Sequence, residues 1–208
     1  IGLILVFIGI IITSLGIVRE RESGALEQLA VMPLRASGII TGKIVPYFVI
    51  AAVDMAVVTV AGILLFDVPM RGSFALLALG AALFLLVALG LGILVSTVSQ
   101  NAGQAIQLAM MLLLPQVLLS GLIFPLESMA VWVRWIAYLL PLTWFVEISR
   151  GVMLKDQTFS ELLLPLGVLA FMAVVVFGLA IARFRRDLGA RVRHNEKPLD
   201  SSSGATPA

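Results

Sequence analysis

Apolar residues in this chain lie mainly in long, uninterrupted runs rather than at helical or alternating spacing. Five such blocks stand out: Ile1 to about Val18, Ile44 to Phe66, Ser73 to Val95, Gln104 to Phe124 and Leu162 to Ala182. At about 1.5 Å per residue, roughly 20 apolar residues cross a hydrocarbon layer about 30 Å thick. The blocks lack the alternation of barrel strands, and a helix satisfies its own backbone groups inside lipid. The pattern predicts an all-α polytopic membrane protein with five transmembrane helices. Only the second block contains a charge, Asp54.

Composition reinforces this reading. Of 208 residues, 61% are hydrophobic and 12% charged, and the mean hydropathy is +1.11. A soluble domain of this length cannot cover its surface with so few polar groups, which argues against soluble enzymes and nucleic-acid binders. The net charge of +2 points to no polyanion, because the basic residues cluster at block edges and in the tail. Cysteine is absent, which removes disulfides, thiolate metal sites and cysteine nucleophiles.

Lys and Arg also orient the chain. One side carries ten: four in the loop from Arg19 to Lys43, none in the turn from Ser96 to Gly103 and six in the tail from Arg183. The other side carries four: Arg71, Arg134, Arg150 and Lys155. The positive-inside rule places the first side in the cytoplasm. The chain opens inside an apolar block with neither Met nor a basic flank, so it reads as a truncated protein with at least one helix upstream. Residues 188–208 read as a disordered cytoplasmic tail, rich toward its end in Ser, Pro and Gly. Arg183, Arg185, Arg186, Arg191 and Arg193 hold the last helix at the inner leaflet, against membrane lipid.

The segment from Ile17 to Lys43 is the most informative polar stretch. Leu26, Leu29 and Ala30 share one helical face, Ser23 is placed to cap a short surface helix, and Pro33 would close it. Glu20, Glu22, Glu27 and Gln28 are then available to an aqueous partner. A solvated loop that only anchors the first helix explains the same residues.

Arg19-Glu20-Arg21-Glu22-Ser23-Gly24-Ala25-Leu26-Glu27-Gln28-Leu29 resembles the cytoplasmic signature of type-2 ABC (ABC-2) transporter permeases of the drug-export group, with Ala25 where Thr is more usual. Further resemblances follow in order. Gly42-Lys43-Ile44-Val45-Pro46 is similar to the start of the next family helix, and Phe66 to Ser73 to its outer turn. The stretches from Ser120 to Met129 and from Pro141 to Gly151 resemble the outer re-entrant region. Together they cover nearly all of residues 1–187, the transmembrane domain.

The resemblance implies helices two to six of a six-helix permease. It also implies a second permease subunit as homo- or heterodimer partner, and two ATP-binding subunits. Loop 19–43 would then contain the coupling helix, with Arg19, Glu20, Arg21, Glu22, Gly24, Glu27 and Gln28 as ATPase-coupling residues. The chain itself would be non-catalytic and hold no cofactor; ATP and magnesium would belong to the partner. The substrate would be a small drug-like or lipid-like amphiphile, exported across a bacterial cytoplasmic (plasma) membrane.

Several polar residues carry two readings. Asp54, in mid-membrane, costs roughly 2.5 to 3.5 kcal/mol if ionised; it lines a path or helix interface, or is a protonated or hydrogen-bonded structural group. On the fourth helix Gln104 and Gln107 share one face, and Gln116 and Ser120 another, with a possible kink at Pro115. Interhelical bonding or a substrate-facing or dimer-facing stripe explains either pair. In the outer connection, residues 124–161, Trp132, Trp135, Tyr138 and Trp144 suit the headgroup region, as two shallow re-entrant helices broken near Pro141. By resemblance, Phe124, Pro125, Glu127, Trp144, Glu147 and Arg150 form an outer gate; an anchoring aromatic belt is the plainer account.

Gly38-Ile39-Ile40-Thr41-Gly42-Lys43-Ile44 looks like a phosphate loop but has one residue too few between its glycines and Ile where magnesium needs Ser or Thr. Close helix approach at Gly38 and Gly42 is preferred. His194 has no ligand partner nearby in sequence, and the loop carboxylates lack a pocket. The leading function is an exporter permease; the alternative is a membrane scaffold or sensor that recruits a cytoplasmic protein, with an intramembrane enzyme behind both.

Overall fold

Apolar runs become helices wherever the structure describes them. The structure is a computed structural model that describes residues 1–23, 36–66, 72–155 and 157–195, and among these there is no strand. We number the helices α1 (Gly2–Glu22), α2 (Ala36–Phe66), α3 (Phe74–Val98), α4 (Ala102–Leu119), α5 (Val131–Tyr138), α6 (Pro141–Lys155) and α7 (Phe159–Asn195). Among the described residues five stretches are long and apolar enough to cross a bilayer: Gly2–Glu22, Phe48–Leu65, Phe74–Val98, Ala102–Leu119 and Phe159–Arg183. They coincide with the five blocks read from the sequence. The chain is a polytopic all-α membrane protein.

The helix ends depart from the sequence reading in four places. α1 continues through Arg19 to Glu22, so these charges close a helix rather than open a loop. Ser23 is the C-cap of α1, and its Oγ donates to the Glu20 carbonyl at 3.1 Å; the surface helix expected after it lies outside the described residues. α2 begins at Ala36, inside the expected loop, because extending a helix adds one hydrogen bond per residue at little further cost. The expected coupling-helix core, residues 24–35, lies outside the described residues.

α4 stops at Leu119 rather than Phe124, since Gly121 takes φ +80°, a left-handed conformation that a helix cannot propagate. α7 runs to Asn195, so residues 188–195 of the expected disordered tail are helical. Apart from Gly189 these residues tolerate a helix, and the membrane span supplies the costly nucleus. Residues 196–208 lie outside the described residues.

α3 is the centre of the bundle, with half of its apolar window buried, as in α1, against 12% for α2. Leu77, Ala81, Phe84, Leu85, Ala88, Leu89 and Ile93 are all buried along it. In lipid no hydrophobic force draws helices together, so close packing must do so, and small residues permit it. α1 and α3 meet through Gly9, Ala88 and Gly92. A Cβ on Gly92 would lie 2.6 Å from the Gly9 carbonyl oxygen and 3.0 Å from that of Ile10. This contact falls at a π-helical turn, Ile8–Ile12, that shifts the register of α1. α2 leaves Val49, Val53, Val57, Val60 and Leu64 exposed, and α7 leaves Phe171 and Val174. Such faces suit acyl chains.

Side chains and loops sort into two ends. At one, the last turn of α1 meets the turn between α3 and α4 through Arg21 and Glu22. At the other, the Gly72 N–H donates to the Val152 carbonyl at 2.9 Å and Arg150 reaches Gly121 at 2.9 Å. The alternation of ends agrees with that used to count Lys and Arg.

Candidate functional site

At the α1 end, two consecutive residues of opposite charge engage the break between α3 and α4. Arg21 Nη1 donates to the Ser99 carbonyl at 3.1 Å, and Glu22 Oε1 accepts from the Ala102 N–H at 2.9 Å. Asn101 caps α4 by accepting from the Gln104 N–H at 2.8 Å, while the Gln104 amide oxygen accepts from the Gln100 N–H at 2.7 Å. The bonds from Ala102 and Gln104 satisfy N–H groups that the first turn of a helix leaves orphaned. Gln104 therefore works as half of a reciprocal cap at the helix start. The signal was in the sequence: Asn-x-x-Gln before an apolar run is a capping pattern.

Among the residues expected to meet an ATPase, Arg19 is exposed, and Glu20 and Arg21 are half-buried with partners inside the chain. Glu22 is exposed and bonded to Ala102. Gly24, Glu27 and Gln28 lie outside the described residues. The phosphate-loop look-alike is helical, part of α2, with its backbone committed to the helix ladder. Gly42 faces open space, with no atom within 4 Å of a Cβ placed there, so it serves no close approach among the described residues.

The two polar pairs expected on α4 fare differently. Gln107 is exposed, whereas Gln116 and Ser120 are buried. Ser120 donates to the Val117 carbonyl at 3.4 Å, but Gln116 Oε1 has no hydrogen-bond partner among the described residues. Asp54 is half-buried, and its Oδ2 likewise lacks one, as does the buried Thr13 Oγ1 just after the π turn. An unpaired buried polar atom costs about 1 to 3 kcal/mol, so each of these positions weighs against the stability of the bundle. Asp54→Leu should raise the detergent melting temperature if the carboxyl is only a structural burden. An export rate that falls while stability rises would assign it a role in transport.

At the opposite end, α5 and α6 form a bent pair with 85° between their axes. The break, Leu139 and Leu140, precedes Pro141, which begins α6 where a missing N–H costs nothing. Thr143 Oγ1 donates to the Ala137 carbonyl at 2.6 Å and Trp144 Nε1 to the Tyr138 carbonyl at 2.8 Å. Both bonds tie the start of α6 to carbonyls at the end of α5 and fix the bend. The Trp144 ring also lies 5.6 Å from that of Tyr138. Thr143→Val should loosen the bend at nearly constant volume by about 1 kcal/mol, since the Ala137 carbonyl loses the Thr143 hydroxyl and keeps the Leu140 N–H at 3.0 Å; thermal melting with tryptophan fluorescence reads it.

Trp132 and Trp135 stand 84% and 72% exposed, suited to the headgroup layer, whereas Trp144 is tied into the bend. Phe124, Pro125, Glu127 and Glu147 are exposed. Arg150 Nη2 donates to the Gly121 carbonyl at 2.9 Å, tying α6 to the turn that ends α4. Beneath them Phe145 stacks on Phe84 of α3, with centroids 4.8 Å apart and planes within 14°. The sequence reading missed this stack and the Thr143 bond, since neither has a local signature.

This bundle, with one charged end and a bent helix pair at the other, can be compared with known proteins. The sequence pattern that defines the ABC-2 family transporter proteins matches residues 1–182. The chain belongs to that family. The Escherichia coli (strain K12) protein named "Probable multidrug ABC transporter permease YbhR" is 34% identical over 176 residues, 85% of this chain and 48% of its own length. "Probable multidrug ABC transporter permease YbhS" of the same strain is 32% identical over 187 residues, 89% of this chain and 50% of its own length. "Inner membrane transport permease YhhJ" is 34% identical over 188 residues, 88% of this chain and 49% of its own length. The chain thus spans about half the length of these ABC-2 relatives.

Proposed function

We propose that this chain is the membrane-spanning half of an ABC exporter permease, which moves a drug-like or lipid-like amphiphile outward using ATP hydrolysed by separate subunits. The observation that carries the reading is the family match across residues 1–182, five spans included. In this reading the α1 end faces the cytoplasm of a bacterial cell, and segment 19–43 receives the nucleotide-binding subunit. ATP and magnesium reside in that partner. A second permease subunit completes the route, and the bent α5–α6 pair closes its outer side.

The mechanism is a shift between two packings of the helices. ATP binding brings the partner subunits together, segment 19–43 is displaced with them, and the bundle changes its preference between inward-open and outward-open states. An ATPase shifts that equilibrium only by as much as it binds the two states differently.

The test uses the full-length permease and its ATPase reconstituted in vesicles with a lipophilic fluorescent dye. ATP should drive dye movement, and Glu27→Lys with Glu20→Lys should reduce both ATPase attachment and movement. Tight ATPase binding without ATP-driven movement would favour the membrane-scaffold alternative.

A further inference from the structure

The Arg21–Glu22 dipeptide does more than end α1. Ser99 caps the C-terminus of α3, where the helix dipole is negative, and Ala102 opens α4, where it is positive. The cation of the pair sits on the first and the anion on the second. Each charge thus complements the helix end that it touches, and both bonds go to backbone atoms, across sequence separations of 78 and 80 residues. Side-chain choice in the α3–α4 turn is therefore not what holds it. The turn is itself stiffened by the Asn101–Gln104 cap pair.

We propose that Arg21 and Glu22 are positioning residues that bolt the cytoplasmic end of α1 to the α3–α4 turn, so that a push on that end of α1 passes directly into α3 and α4. The proposal rests on the exporter reading and adds a route. Among the described spans α2 is the least buried, at 12%. A push transmitted through α2 alone would meet few packed neighbours. Through the bolt it reaches α3, the core helix, and α4, which carries the buried Gln116.

Ala102→Pro tests the bolt without altering the charged pair. Ala102 is the first residue of α4, where proline is well accommodated, and Asn101 has the extended backbone, φ −142° and ψ 167°, that a residue before proline requires. The substitution deletes the N–H that Glu22 accepts from and no other hydrogen bond of the helix. In the full-length permease reconstituted with its ATPase, Ala102→Pro should leave ATPase co-purification intact. Dye exported per ATP hydrolysed should fall by about tenfold.

Glu22→Ala added to Ala102→Pro should cause no further loss, because both remove the same bond. Arg21→Met should lower the same ratio and guards against misfolding of the proline variant. Unchanged export per ATP in Ala102→Pro, or losses from Ala102→Pro and Glu22→Ala that multiply, would overturn the bolt. Absence of ATP-driven export by the unmutated permease would instead overturn the exporter reading.

Discussion

Gly92→Val should be among the most damaging single substitutions in the bundle. The new Cβ would lie 2.6 Å from the Gly9 carbonyl oxygen, 3.0 Å from that of Ile10 and 3.0 Å from the Thr13 Cβ. Two of these three are backbone atoms of the π turn, which no rotamer change can withdraw. α1 and α3 must therefore separate, losing the close approach that replaces hydrophobic attraction in lipid. Overpacking of this kind costs about 3 kcal/mol. A thermal melt in detergent should show a clear loss of stability and of monodisperse yield. Gly178→Ala is the control: nothing lies within 4 Å of a Cβ there, so its melt should match the unmutated protein.

Phe145→Ala should come next. Phe145 is 1% exposed and stacked on the fully buried Phe84, joining α6 to the central helix. Removing the ring leaves a cavity where the re-entrant pair meets the core. The transfer contribution is smaller than in water, because the unfolded helices remain in lipid, but lost packing and stacking still cost about 2 kcal/mol or more. The same melt should fall, with fluorescence of the nearby Trp144 shifting earlier than the global transition as the bend detaches first. Coincident transitions would mean that α6 and the core unfold as one unit.

The spans were legible because lipid leaves the chain little choice: long charge-free runs must be helices. The break before Pro141 was legible too, because proline starts a helix readily and an X-Pro step disfavours the preceding turn. What escaped was non-local. Arg21 and Glu22 read as loop charges for a partner, since nothing near them in sequence reveals Ser99 and Ala102. Gln104 read as half of a same-face pair, open to interhelical bonding or a polar stripe, because face arithmetic ignores helix starts. The π turn at Ile8–Ile12 shifts the register of α1, so spacing alone could not assign Gly9 to Ala88. The outer residues divide similarly: Trp144 and Arg150 are fixed by carbonyls of α5 and of the Gly121 turn, while Glu127 and Glu147 face outward.

The central claim is that the α1 end faces the cytoplasm and receives an ATPase. This chain contains no cysteine, so the full-length permease carrying Ser23→Cys, with any cysteine outside these residues replaced by serine, can be probed with a membrane-impermeant maleimide. Ser23 is exposed beside the Arg21–Glu22 bolt, and Ser128, at the opposite end, is exposed as well. The account predicts no labelling of Ser23→Cys in intact cells, labelling after permeabilisation, and protection again when the ATPase is bound; Ser128→Cys should label in intact cells. Labelling of Ser23→Cys from outside the intact cell would contradict it.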